Sequence, residues 1–113
     1  MSIKEKMHGD VAVISLKGNL MGEPHTTELR EKVYGLLQEG FKKMVLDLKG
    51  VRWINSSGLG ALIASLTSVK NKGGDLRLAC LTDKVESVLA VTQLVKVFKE
   101  YETVDRAVAS YKQ

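Results

Sequence analysis

Short segments of β character alternate with amphipathic helical segments along most of this chain, and this alternation limits the possible fold more than any other feature. Two β segments come first, Ile3 to Met7 and Val11 to Lys17, and the Gly9-Asp10 pair between them suits a tight hairpin turn. Helical and β segments then follow each other in turn, which favours right-handed crossovers around a largely parallel sheet. Strands joined by a tight turn run antiparallel, so the sheet should be mixed. We therefore predict an α/β fold with about five strands, an N-terminal hairpin and four helices.

Apolar spacing and end signals place the later elements. A helix is predicted from Pro24 to Gly40, with its apolar side formed by Leu29, Val33, Leu36 and Leu37. The strand KMVLDL follows from Lys43. The next helix is predicted from NSSG to Gly73-Gly74, and its apolar stripe consists of Leu59, Leu62, Ile63, Leu66 and Val69. The strand DLRLAC comes next, and after it a helix through Val85, Val88 and Leu89 that begins with the capping box Asp83-x-x-Glu86. The last two predicted elements are a strand around Val97-Phe98 and a helix through Val104, Ala107, Val108 and Tyr111. The apolar run in KMVLDL is typical of a strand that is covered on both faces.

Length and composition predict one folded domain over residues 1–113. A chain of 113 residues with 44% hydrophobic residues can bury a single core. Its apolar runs are far shorter than the ~20 residues that cross a bilayer, and its start lacks the pattern of a signal peptide. We therefore expect a cytoplasmic protein without direct membrane insertion. The 17 basic residues are spread along the chain, so the net charge of +4 does not predict a nucleic-acid partner.

Residues suited to catalysis or metal binding are few. Cys80 lies in DLRLAC, where a buried strand thiol is expected, and His8 and His25 are too far apart in the sequence to complete a ligand cluster with it. A serine nucleophile would need a base, and INSSG does not match the Gly-x-Ser-x-Gly elbow of serine hydrolases. Gly58-Leu-Gly60 is too short for a dinucleotide fingerprint. We predict no catalytic residue, no metal and no cofactor.

The most informative segment is residues 47–60, which joins the buried strand to the second helix through a loop rich in small polar residues. Asn55, Ser56 or Ser57 can cap the first free amides of that helix. The same amides, together with the helix dipole, favour an added anion. A serine at this place is therefore either a helix cap or a site where a negative charge is tolerated.

This segment resembles the signature of the STAS family, the sulphate-transporter and anti-sigma-factor-antagonist domains. In that family a strand leads into Asp-Ser-Ser/Thr-Gly-Leu-Gly at a helix start, as Asn55 to Gly60 does here. The likeness extends to VISLKGNL, GGDLRLAC and VLAVTQLVKVFKEYETVDRAVAS, and thus to nearly the whole chain. The resemblance implies a single STAS domain over residues 1–113.

For stand-alone members, the resemblance implies partner switching. The serine that matches Ser56 is phosphorylated by a kinase that is itself the anti-sigma factor. The unphosphorylated protein binds this kinase and frees a sigma factor, and a phosphatase restores the phosphorylated form. The expected partner-binding residues are Met21, Gly22, Glu23, Asn55, Ser56, Ser57, Gly58 and Leu59.

Two positions depart from the pattern of the phosphorylated members. Asn55 stands where they commonly carry Asp, and Met21 stands where they commonly carry an acidic residue. Both departures favour an alternative role for the same domain, as a subunit of a transporter or larger signalling assembly that is not phosphorylated. The oligomeric state is left open.

Overall fold

The predicted hairpin opens the fold, which a computed structural model describes for residues 1–112. Its strands are β1 (Ser2–His8) and β2 (Val11–Lys17), and Gly9 takes a φ of +64° in the turn, a conformation that glycine adopts without steric cost. The remaining elements are α1 (His25–Gln38), β3 (Lys43–Gly50), α2 (Ser56–Asn71), β4 (Asp75–Ala79), α3 (Asp83–Val91), a short 3-10 turn (Leu94–Lys96), β5 (Glu100–Tyr101), α4 (Val104–Ala109) and a second 3-10 turn (Ser110–Lys112).

The five strands form one sheet in the order β1-β2-β3-β4-β5. β1 and β2 pair antiparallel, and every other neighbouring pair is parallel. The predicted α/β class, mixed sheet, N-terminal hairpin and four helices are thus confirmed. Because the strands follow one another in order, right-handed crossovers place α1, α2 and α3 on the same face of the sheet.

The two faces of the sheet are covered unequally. In β3, Met44, Leu46 and Leu48 belong to the main core beneath α1, α2 and α3. On the other face, a smaller cluster joins β2, β3 and β4 to α4, which is only six residues long. This cluster consists of Val11, Val13, Val45, Ala79, Ala107 and Val108. The short helix leaves the carboxyl ends of β2 and β3 uncovered on that face.

Three local predictions are corrected by the structure. The last strand lies at Glu100–Tyr101 and not at Val97-Phe98, because the amides of Val97 and Phe98 bond to the Leu94 carbonyl and close the 3-10 turn. Asp83 is the first residue of α3 and therefore not its cap; the cap position belongs to Thr82, whose hydroxyl donates to the Val51 carbonyl.

Cys80 is the third correction, because it lies beyond the end of β4 and is only partly buried. Its φ of +59° is unusual for a residue other than glycine and turns the chain out of the strand. Burial and the nearby Asp47 carboxylate together raise the pKa of the thiol. The thiol therefore stays largely protonated near neutral pH, a state that disfavours nucleophilic chemistry.

Tyr111 fixes the second 3-10 turn to the amino ends of β3 and β4. Its hydroxyl accepts from the Met44 amide at 3.2 Å and lies 2.7 Å from the carbonyl oxygens of Met44 and Asp75, either of which can accept its proton. The Arg77 guanidinium lies 3.9 Å from the centre of the ring. Burial, followed by the Asp75 charge, raises the pKa of the phenol, so Tyr111 acts as a neutral donor.

Tyr111→Phe is expected to lower the free energy of unfolding by about 1 to 3 kcal/mol, because it leaves buried backbone groups without a partner. Urea denaturation measures this change. The matched control is Tyr34→Phe, since Tyr34 is exposed and its hydroxyl makes no hydrogen bond within residues 1–112. Equal effects of the two substitutions would contradict the role assigned to the Tyr111 hydroxyl.

Candidate functional site

Two loops that are distant in sequence meet at the carboxyl ends of β2 and β3. Leu20 and Ile54 form a parallel bridge between them. The Leu20 amide donates to the Trp53 carbonyl at 3.0 Å, and the Asn55 amide donates to the Leu20 carbonyl at 3.4 Å. The structure therefore brings together the two segments of the predicted site, residues 21–23 and residues 55–59.

Asn55 caps α2 and also joins the two loops. Its side-chain oxygen accepts from the Gly58 amide at 3.0 Å, and its side-chain nitrogen donates to the Met21 carbonyl at 2.8 Å. An aspartate would keep the first bond and lose the second, since a carboxylate has no proton to donate. The capping role is thus assigned to Asn55, one of the three residues that the sequence left as candidates.

Asn55→Ala is expected to cost about 1 to 2 kcal/mol of folding stability, because the cap and the bond to Met21 are both lost. Asn55→Asp should cost less, since it retains the cap and adds a charge that the helix dipole favours. Urea denaturation of both variants checks this order, with the exposed Ser57→Ala as the control, expected to change stability by less than about 0.5 kcal/mol. A loss for Asn55→Asp as large as that for Asn55→Ala would contradict the capping role.

The hydroxyls of Ser56 and Ser57 are left free by this arrangement. Ser56 is the first residue of α2, and both serines are exposed. Neither hydroxyl makes a hydrogen bond to any group in residues 1–112, including the imidazoles of His8 and His25. Ser56 is therefore accessible to another protein at a helix start where the cap does not depend on it.

Met21 and one stripe of α2 surround Ser56. Spacings of four and three residues place Ser56, Gly60, Ile63 and Thr67 along one side of the helix. Met21 is 49% exposed and Ile63 is 38% exposed. We call the group of Met21, Ser56, Ser57, Gly60, Ile63 and Thr67 the Ser56 surface. It carries no charged side chain, because α2 has none between Ser56 and Val69.

The remaining predicted partner-binding residues lie in the same two segments but outside the Ser56 surface. Gly58 and Leu59 are buried, so both residues lie beneath the surface and do not form part of it. A Cβ at Gly58 would lie 2.1 Å from the Leu20 carbonyl oxygen, which is why the close approach of α2 to the loop needs glycine. Gly22 is partly buried.

Glu23 is exposed, yet its carboxylate already accepts hydrogen bonds from groups of the same chain. It accepts from the hydroxyls of Thr26 and Thr27 and from the Thr27 amide at 3.0 Å. The bond from Thr26, followed by those from Thr27, lowers the pKa of Glu23. Glu23 therefore stabilises the start of α1 in its ionised form.

Two exposed apolar residues were missed by the sequence interpretation. Ile63 was placed on the buried stripe of α2, whereas Leu59, Leu62, Leu66 and Val69 are buried and Ile63 faces outward. Trp53 is 46% exposed in the loop before α2, with the Lys84 ammonium 4.5 Å from the ring centre. The signal for Ile63 was its spacing of seven residues from Ser56, which places both on one side of a helix.

Among residues 1–112, no group of three or more His, Cys, Asp or Glu side chains is arranged to hold a metal ion. No helix in this range is both long enough and apolar enough to span a bilayer.

Comparison with known proteins agrees with the fold and with the family that the sequence resembles. The STAS domain family matches residues 2–107. A Thermotoga neapolitana relative is 37% identical over 71 residues, and the match spans 63% of this chain and 63% of that protein, which is less than two thirds of its length. The anti-sigma F factor antagonist of Paenibacillus polymyxa is 24% identical over 104 residues, which cover 90% of this chain and 87% of that protein.

Solved structures show the same fold. A crystal structure from Thermotoga maritima superposes with a TM-score of 0.90 at 28% identity and covers 98% of this chain and 95% of that one. The Bacillus cell fate determinant SpoIIAA in its phosphorylated form gives a TM-score of 0.75 at 17% identity and covers 97% of this chain and 99% of that one. Because the family match spans nearly all of the sequence, this chain belongs to the STAS-domain family.

Proposed function

We propose that this protein is an anti-sigma-factor antagonist whose binding to a kinase-type anti-sigma factor is controlled by phosphorylation of Ser56. The observation that carries the proposal is the state of the Ser56 hydroxyl, which is exposed at the first position of α2 and free of hydrogen bonds within residues 1–112. A kinase can reach such a hydroxyl without unfolding the helix. The relation to an anti-sigma F factor antagonist supports the same role.

The local electrostatics favour a phosphate at this position. A phosphoserine carries about −1.5 to −2 charges at neutral pH. The first turn of α2 has no acidic residue to repel this charge, and the free amides and dipole of a helix start attract it. Since Asn55 holds the cap, a phosphate on Ser56 does not compete for the capping bond.

The switch then acts at the surface and not through the fold. The Ser56 surface is uncharged and partly apolar, so a partner that covers it removes the Ser56 hydroxyl from water. A dianion at the same place would have to lose its hydration shell and would occupy space that the partner fills. We therefore propose that the partner binds the unphosphorylated form and releases the phosphorylated form until a phosphatase removes the phosphate. The setting for such an exchange is the cytoplasm.

A second candidate function rests on Asn55 and Met21. Their bond fastens the two loops through an amide at the place where the phosphorylated members of the family commonly have acidic residues. A surface fixed in this way also suits a subunit of a transporter or larger signalling assembly that binds its partner permanently and is not phosphorylated.

Purification of the tagged protein from its own cells separates the two candidates. Mass spectrometry of the purified material identifies the partner and the state of Ser56, and a Ser56→Ala variant serves as the matched control. An ATP-binding kinase as partner, with phosphate on Ser56, supports partner switching. Transporter subunits as partners, with Ser56 unmodified in every growth condition, would support the second candidate.

A further inference from the structure

Trp53 is an exposed aromatic residue in the loop that leads to Ser56. Its side chain is 46% exposed, whereas the nearby Val51 and Ile54 belong to the main core or pack against it. Because side chains alternate along an extended chain, the inward Ile54 turns Trp53 outward, to the same side as Asn55. Three residues separate Trp53 from Ser56, so their Cα atoms lie at most about 11 Å apart. The indole ring is therefore a neighbour of the Ser56 surface.

The backbone of this loop is held by hydrogen bonds from two other segments of the chain. The Trp53 carbonyl accepts from the Leu20 amide at 3.0 Å. The Val51 carbonyl accepts from the Thr82 hydroxyl at 2.9 Å, which ties the loop to the start of α3. The loop that carries the indole ring is therefore in place before any partner binds.

The Lys84 ammonium lies over the Trp53 ring, 4.5 Å from its centre, which is within the range of a cation–π contact. Lys84 is exposed and forms no ion pair with residues 1–112. It is the second residue of α3, where the positive end of the helix dipole disfavours a cation. Since neither a carboxylate nor the dipole holds the ammonium there, the ring itself does. The same contact restricts the orientation of the indole ring.

We propose that Trp53 is the anchor residue to which the kinase-type anti-sigma factor binds, an inference that rests on the proposed function. Tryptophan is enriched among the few residues that supply most of the affinity of a protein interface, because it buries a large area at little cost in side-chain entropy. The fixed loop and the Lys84 ammonium lower that cost further. The partner that fits has an apolar pocket for the indole ring and a carboxylate at the rim of the pocket that pairs with Lys84.

Trp53 and the Ser56 surface form one continuous contact area for this partner. Met21 and Ile63 of the Ser56 surface are exposed apolar residues, as Trp53 is. The bond from Asn55 to the Met21 carbonyl joins the loop of Trp53 to that of Met21. Neighbouring exposed apolar side chains mark sites of protein binding. A partner that covers this area buries three large apolar side chains around the Ser56 hydroxyl, so phosphate on Ser56 also separates the partner from its anchor.

Biolayer interferometry with the kinase recovered from the cells tests this inference. The test variant is Trp53→Ala, and the matched control is Tyr34→Ala, which removes an aromatic side chain that is 59% exposed on α1 and lies outside the Ser56 surface. We expect at least about tenfold weaker binding for Trp53→Ala and less than about a twofold change for the control. Lys84→Gln should weaken binding about threefold, because the ring loses its cation and the carboxylate of the partner loses its pair.

A fluorine label reports on the same contact without any substitution. Trp53 is the only tryptophan of the chain, so protein labelled with fluorotryptophan gives a single fluorine resonance. Addition of the kinase is expected to shift this resonance in the unphosphorylated protein, because the partner covers the ring. The resonance should stay in place when the labelled protein carries phosphate on Ser56, since the partner is then released.

Three outcomes would overturn the inference. The first is unchanged affinity of Trp53→Ala while Ser56→Asp still releases the kinase, which would leave the proposed function standing. The second is a resonance that shifts when the concentration of the labelled protein alone is raised, which would assign the ring to a contact between two copies of this chain. The third is a wild-type protein that binds no kinase, which would contradict the proposed function as well.

Discussion

Gly58→Ala is expected to destabilise the domain by about 3 kcal/mol, which is a large share of the stability of a single domain. The new Cβ would lie 2.1 Å from the Leu20 carbonyl oxygen and 2.7 Å from a side-chain carbon of Ile54. Neither contact can be relieved without moving α2 away from the loop that carries Leu20. Such a shift would also break the capping bond from the Gly58 amide to Asn55. Urea denaturation followed by circular dichroism measures the change.

Gly60→Ala is the matched control for this prediction. It makes the same chemical change two residues further along α2, where an added Cβ meets nothing within 4 Å. Alanine is the better helix former, so Gly60→Ala is expected to stabilise the domain by up to about 1 kcal/mol. A loss of stability in both variants, of similar size, would contradict the close approach of α2 to the Leu20 loop.

Ser56→Asp is expected to weaken binding of the partner on the order of 100-fold while leaving the melting temperature nearly unchanged. The carboxylate would enter an uncharged surface that the partner covers, so binding must desolvate it without a compensating group. In the free protein the same charge lies at a helix start, where it is mildly stabilising. Biolayer interferometry with the kinase recovered from the cells measures affinity, and differential scanning calorimetry measures stability.

Ser68→Asp is the control for this change of charge. Ser68 is exposed on the same helix but lies three turns from Ser56 and outside the Ser56 surface. It should change affinity by less than about threefold, because a charge beyond the contact is screened by solvent and salt. If Ser56→Asp lowered the melting temperature strongly, the serine would be a structural residue and the switch account would be wrong.

Much of the fold could be predicted from the sequence, because long periodic segments determine their own type. The apolar spacing in α1 and α2 and the Gly9-Asp10 turn each suffice to indicate one element. β5 was misplaced because it has only two residues, Glu100–Tyr101, and is held by pairing with β4. A strand this short cannot show the alternation of apolar and polar residues by which strands are predicted from a sequence.

The site was predicted less completely, since its parts come together only in three dimensions. The signature indicated Ser56, but the choice of Asn55 as the cap depends on the Met21 carbonyl, 34 positions earlier in the chain.

The most direct test compares the affinities of two forms of the same purified protein for its kinase partner: the unmodified chain and the chain that carries phosphate on Ser56. The affinities are measured by calorimetric titration with ADP in place of ATP, so that the kinase cannot phosphorylate Ser56 during the measurement. The account predicts tight binding of the unmodified form and at least about 100-fold weaker binding of the phosphorylated form, with superimposable circular dichroism spectra. Equal affinities for the two forms would contradict the claim that charge at the exposed start of α2 controls the complex.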